Sequence, residues 1–148
     1  MAQKIPLREI PERLGEDLGT TDWFKITQER IDRFADVTCD HQWMHVDLER
    51  ANRERGGTIA HGLLIACLLP MFQEQLMQVS DYQGGYSYGF DKLRFTNPVR
   101  PGQRVRLNQR LSKVAPRGNG FLVTLACTME IEGQDKPALI ADYVAFYF

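Results

Sequence analysis

Ala60-His61-Gly62-Leu63-Leu64-Ile65-Ala66-Cys67-Leu68-Leu69-Pro70-Met71-Phe72 is the most apolar helical pattern in the chain, and the pattern continues to about Met77. Almost no polar face remains between Leu63 and Phe72. A helix apolar on nearly every side has to be wrapped by other elements. Pro70 removes one backbone hydrogen bond and should bend it. From Gln73 onward polar residues return, so the helix should reach the surface there.

The material to wrap it follows in sequence. Phe121, Val123, Leu125, Cys127, Met129 and Ile131 alternate with Leu122, Thr124, Ala126, Thr128, Glu130 and Glu132, a two-residue period that marks a strand. Val105, Leu107 and Leu111 alternate in the same way against Arg104, Arg106, Asn108 and Arg110. Pro116-Arg117-Gly118-Asn119-Gly120 joins the two as a hairpin. Gly133–Pro137 turns into a last strand, Ala138–Phe148. Tyr86–Phe95 is a further strand whose alternation slips near Asp91-Lys92, which predicts a bulge. Helices followed by an antiparallel run of four strands make an α+β fold, a curved sheet closing on the central helix. A sheet that small leaves its edges open, which favours a homodimer.

Upstream of the helix, Trp23-Phe24-Lys25-Ile26 has the composition of a short strand. Thr27 is a good N-cap for a helix from Gln28, with Ile26 and Ile31 placed as a hydrophobic staple. Ile31, Phe34, Ala35 and Thr38 share one face of that helix. Asp47 caps a second short helix, Leu48 to Arg53. Arg53–Thr58 is polar, contains glycine and reads as a mobile loop. Residues 4–20, with Pro6, Pro11, Gly15 and Gly19, read as irregular cover with one helical turn at Ile10–Leu14.

At 148 residues the chain reads as one domain, 1–148, with residues 1–20 as an N-terminal extension. Hydrophobic residues make up 43%, charged residues 25%, and the net charge is −1, so no general field draws nucleic acid. No apolar run is long enough for a membrane span, and the N-terminus shows no apolar leader. Cys39, Cys67 and Cys127 have no CxxC spacing and read as reduced thiols of a cytoplasmic protein. Cys67, inside the apolar helix, reads as a packed core thiol.

All three histidines flank this helix or lie just before it, within Asp40-His41-Gln42-Trp43-Met44-His45-Val46-Asp47 and Ile59-Ala60-His61-Gly62. Asp40 and His45 can hold a water between a carboxylate and an imidazole. By residue type alone they read equally as a loop cap and a structural histidine. Gly62, without a β-carbon at a helix start, lets a ligand carbonyl approach partly positive backbone N–H groups. Such a site can stabilise an enolate, although glycine there also serves plain helix–sheet contact. His41, His45, His61, Asp40 and Asp47 offer zinc-type ligands, but Trp43 interrupts the histidines and the segment reads as a loop. The arginines of 104–110 read as a solvated face, and Lys92, Arg94 and Arg100 are candidates for phosphates without one being singled out.

Asp40-x4-His45-x-Asp47 followed by Ile59-Ala60-His61-Gly62-Leu63 resembles the motif of the MaoC-like, (R)-specific enoyl-CoA hydratases. Ala35-Asp36-x-Thr38-x-Asp40-His41-Gln42-Trp43-x-His45-Val46-Asp47 is similar to the NodN-like branch. The similarity extends from about Trp23 to the C-terminus and includes Gly89–Phe95 and Pro98-Val99. The resemblance implies a hot-dog fold, a dimer, and reversible hydration of a trans-2-enoyl-CoA. It implies Asp40 and His45 as the acid/base pair and the Gly62 N–H as oxyanion donor. His41 and His61 are left to structure or substrate contact. An acyl-CoA thioester is the expected partner, with no metal or organic cofactor. An acyl-CoA thioesterase and a non-catalytic acyl-CoA-binding module are the alternatives on this architecture. Two positions depart from many relatives: Gln42-Trp43 stands where they have Asn-Pro, and Cys67 stands where several have serine.

Overall fold

In the computed structural model, which describes residues 2–148, the chain runs β1 (Gln3–Ile5), a 3-10 helix (Leu7–Arg13), β2 (Asp17–Thr20) and β3 (Phe24–Lys25). Helices α1 (Gln28–Thr38), α2 (Trp43–Val46), α3 (Leu48–Arg55), α4 (Gly62–Cys67) and α5 (Leu69–Leu76) follow. Strands β4 (Met77–Val79), β5 (Gly85–Phe95), β6 (Arg104–Arg117), β7 (Gly120–Ile131) and β8 (Leu139–Tyr147) complete it. The main sheet is antiparallel, ordered β2-β6-β7-β8-β5, with β3 also on β6. No helix among the described residues is long and apolar enough to cross a membrane.

The predicted alternation sets the core. Val105, Leu107 and Leu111 on β6, and Val123, Leu125, Met129 and Ile131 on β7, are buried against Leu69 and Phe72 of α5. Each side chain of this size contributes roughly 1.5–3 kcal/mol when fully buried. The apolar run is broken into two helices at Leu68, and Pro70 sits in the first turn of α5, where its missing N–H is not needed.

The wrapping is incomplete. Leu63 is 58% exposed and Met71 37%, and Cys67 between them is exposed as well. These residues, four apart, form one uncovered stripe. Cys67 is therefore not a packed core thiol; Cys127, on β7, is. The alternation of sequence cannot tell which side of an all-apolar helix a single sheet leaves bare.

Other expectations change in detail. Residues 3–20 are ordered structure: β1 pairs in parallel with β4, β2 pairs with β6, and Ile5, Ile10 and Leu18 enter the core. The bulge at Asp91 is present, and a second lies at Tyr88. Thr38 is exposed, its hydroxyl donating back to the Phe34 carbonyl. The 53–58 segment is tied down. Gly56, in the left-handed region at φ 68°, ends α3, and the Arg100 guanidinium donates to the carbonyls of Gly57 and Arg55. Arg100 is thus used internally.

Candidate active site

Thr27 caps α1 by accepting from the Arg30 N–H, and Ile26 and Ile31 are both buried beside it. The helix ends at Cys39 in the left-handed conformation, φ 58°, which turns the chain so that Asp40 leaves the helix axis. The Asp40 side chain is 44% exposed. His45 lies on α2, a four-residue helical turn where sequence suggested loop. Trp43 opens that turn, and its ring lies under the guanidinium groups of Arg50, 4.2 Å away, and Arg55, 5.8 Å away. The aromatic ring ties α2 to α3 through two cation–π contacts, a structural use for the departure at Gln42-Trp43.

Gln28, which the sequence did not single out, anchors this loop to α1. Its Nε2 donates to the His45 carbonyl at 2.8 Å, and the Thr58 hydroxyl donates to its Oε1 at 2.5 Å. Only the tertiary fold brings residues 28, 45 and 58 together, so no local pattern announces the role.

His45 is buried, and its Nδ1 lies 2.7 Å from the Ile59 carbonyl. A carbonyl oxygen only accepts, so Nδ1 carries the proton and a neutral ring offers Nε2 as a lone pair. Burial holds this imidazole below its ordinary value. The neighbouring His61 acts in the same direction, while the Ile59 carbonyl and Asp40 oppose it.

His61 precedes α4 and is 3% exposed. Its Nε2–H donates to the main-chain carbonyl of Asp40 at 2.9 Å, its ring stacks on His45 with centroids 3.7 Å apart, and Phe34 lies against it. The His61 Nδ1 is buried without a hydrogen-bond partner.

Gly62 begins α4, so its N–H has no preceding helical turn to bond. A β-carbon here would stand 2.8 Å from the Phe95 ring, which explains the glycine by space. His45, Gly62, Ile65, Phe95, Val99 and Ala138 line a cavity of about 300 Å³.

The structure divides the expected residues cleanly. Donor atoms of Asp40, His45 and His61 lie within 4.8 Å of one another. His41 is elsewhere, paired with Asp36 at 2.9 Å on the surface. Asp47 caps α3 by accepting from Arg50 N–H. Of the five metal-type ligands in the sequence, two are therefore outside the cluster. What remains is one carboxylate and two imidazoles, of which His45 borders the cavity, a set suited to moving protons on a small bound molecule.

Residues 9–126 match the MaoC-like domain. The chain belongs to the MaoC-like dehydratase family. The 3-hydroxyacyl-thioester dehydratase Z of Mycobacterium tuberculosis is 45% identical over 141 residues, covering 94% of this chain and 93% of that protein. Nodulation protein N of Rhizobium leguminosarum is 42% identical over 152 residues, covering 95% and 90%. An R-hydratase of Pseudomonas aeruginosa superposes with a TM-score of 0.77 at 22% identity, over 97% of this chain and 86% of that one. The fold is the hot-dog fold, and this MaoC-like chain is an enzyme of the hydratase/dehydratase class.

Proposed function

We propose that this MaoC-like enzyme hydrates a trans-2-enoyl-CoA reversibly to the (R)-3-hydroxyacyl-CoA, with Asp40 and His45 as the acid/base pair. The observation that carries the reading is that His45, which borders one cavity together with Gly62, also has a donor atom within 4.8 Å of the Asp40 carboxylate. The thioester oxygen lies at the Gly62 N–H. A water held between Asp40 and the His45 Nε2 faces the β-carbon. As the water oxygen bonds to that carbon, its proton passes to the pair and the alkene electrons move to the thioester oxygen as an enolate. The Gly62 N–H stabilises that charge. The enolate collapses as the α-carbon takes a proton from the pair, so one water is added and the pair returns to its starting state. His61 holds the Asp40 main chain and the His45 ring in register.

A second copy of the chain completes the molecule in this reading. The bare Leu63–Cys67–Met71 stripe and the long edge strand β5, with Phe90 and Phe95 exposed beside it, form the face it covers. Unpaired edges and contiguous apolar surface are what such contacts bury.

The deciding experiment measures hydration of trans-2-enoyl-CoAs, with product chirality, in wild type, Asp40→Asn and His45→Gln. Activity should fall at least about 10²-fold in each variant, the scale of lost acid/base help, with folding intact. Unchanged turnover in both variants would sink the mechanism. Release of free CoA from saturated acyl-CoA without hydration would instead identify a thioesterase.

A further inference from the structure

Helix α2, which carries His45, is a single turn. The His45 N–H donates to the Gln42 carbonyl and the Asp47 N–H to the Trp43 carbonyl, both at 2.9 Å. So short a helix does not hold itself in water. The direction of the His45 ring is therefore set by groups outside α2. One anchor comes from the segment before α4, where the Ile59 N–H donates to the Met44 carbonyl at 3.0 Å. The other is the side chain of Gln28.

Gln28 opens α1 and is half-buried. Its Nε2 has two hydrogens, and both are used, one on the Asp32 carboxylate at 2.7 Å and one on the His45 carbonyl at 2.8 Å. Both partners only accept, so the amide nitrogen must face them. Oε1 then faces the Thr58 hydroxyl, which donates to it at 2.5 Å. Flipping the amide would set its oxygen against two acceptors.

Thr58, 3% exposed, is joined by one peptide bond to Ile59, whose carbonyl accepts from the His45 Nδ1–H at 2.7 Å. The contacts close a ring. It runs from Gln28 to the His45 carbonyl, through the His45 side chain to Ile59, back to Thr58, and from the Thr58 hydroxyl to Gln28. An imidazole nitrogen bonded to a fixed carbonyl keeps its hydrogen, and the other nitrogen is left as the lone pair.

We infer that Gln28 and Thr58 are positioning residues for His45, closing a hydrogen-bonded ring that locks the imidazole in the Nδ1–H tautomer with its Nε2 lone pair free for the reaction. Opening the ring at either residue lets the Ile59 carbonyl and the His45 backbone move apart, and the imidazole then exchanges between tautomers. The kinetic consequence rests on the hydration reading above; the tautomer does not.

The test uses Gln28→Met, a near-isostere without the amide, and Thr58→Val, which keeps the shape and removes the hydroxyl. In hydration of a trans-2-enoyl-CoA each should lower kcat about 10-fold or more with KM changed less than about 2-fold, the pattern of a displaced reacting group. Thr58→Ser, which keeps the hydroxyl, should recover most of the loss seen in Thr58→Val. The double variant should lose no more than either single one, because a ring opens once. Nitrogen NMR of protein carrying 15N-histidine reads the tautomer directly, with the His45 signals assigned by their absence from His45→Gln. Wild type should show one tautomer, and Gln28→Met and Thr58→Val exchange between two. Unchanged kcat in both variants, or a single unchanged tautomer in both, would overturn the positioning role. So would strictly additive losses in the double variant. If wild type hydrates no enoyl-CoA, the hydration reading fails instead, and the tautomer spectra decide the ring by themselves.

Discussion

The imidazole rings of His45 and His61 stack with centroids 3.7 Å apart, and each ring spends one nitrogen on a main-chain carbonyl, Ile59 for the first and Asp40 for the second. Such second partners fix tautomer and ring orientation. His61→Gln removes the stack but leaves an amide able to donate to Asp40. It should lower kcat by roughly 10-fold or more with a smaller change in KM. His61→Ala should lose more. Because His61 helps hold the His45 value down, the acidic limb of the pH profile should also move to higher pH in both variants. A fall in KM-dependent terms alone, with the limb unmoved, would mean His61 is only packing.

Acid should weaken the enzyme through His45. Its folded value lies below the ordinary 6.5, so the acidic limb of kcat/KM should inflect below 6.5. Between the folded and unfolded values the unfolded chain binds more protons, so stability rises with pH in that window and is lost as pH falls below about 6.5. Urea melts across pH 5 to 7 should show the slope, and His45→Gln should flatten it.

Gly62→Ala keeps the backbone N–H but drives a methyl group at the Phe95 ring, 2.8 Å from where its β-carbon would sit. The atoms met belong to a side chain and not to backbone, so the cost should fall on substrate fit more than on folding. A drop of about 10²-fold in kcat/KM is expected, the scale of a misplacement at a reacting centre. Gly62→Ala combined with Phe95→Ala should recover part of it, and a double-mutant cycle measures the coupling. Purely additive losses would show that the two residues do not share the wall.

The two nearby carboxylates should separate by assay. Asp47 caps α3 and is outside the cluster, so Asp47→Ala should cost about 1 kcal/mol of stability with activity retained. Asp40→Asn should do the reverse. Thermal melts and turnover on the same samples decide it, and an inactive but stable Asp47→Ala would contradict the assignment.

Thiol reactivity reports the exposed stripe. Burial pushes the Cys127 thiol up to about 11, with Gln109 opposing, so it should resist alkylation until the protein unfolds. Cys39 is exposed and should react in the native state. Cys67 is exposed in the single chain, so a second copy seated on the stripe should slow its labelling relative to Cys39, with recovery on dilution or in Leu63→Asp. Equal rates for both thiols at every concentration would place the subunit contact elsewhere.

Much of the architecture was legible because it is periodic. The alternation in β6 and β7 and the Thr27 and Asp47 caps are local patterns, each with a near neighbour to satisfy it, and the bulge at Asp91 shows as a local slip in alternation although its partner strand is β8. The two motif blocks pointed to Asp40, His45 and Gly62 through the family resemblance, and the structure brings Asp40 within 4.8 Å of His45. The short strands β1 and β2 escaped notice because their partners, β4 and β6, lie some 70 to 90 positions away and set them by pairing rather than propensity.

By itself, then, the sequence determined which segments could be helix or strand and which side chains were chemically able to serve. Tertiary structure alone decided that His41 faces water and His61 the interior. It also decided that Gln28 holds the His45 loop, that Phe95 fills the space beside Gly62, and that Cys67 rather than Cys127 lies open. The physical reason is the same in each case. Periodicity and motif spacing specify a residue's conformation and type, whereas its partner and its exposure depend on what distant segments bring against it.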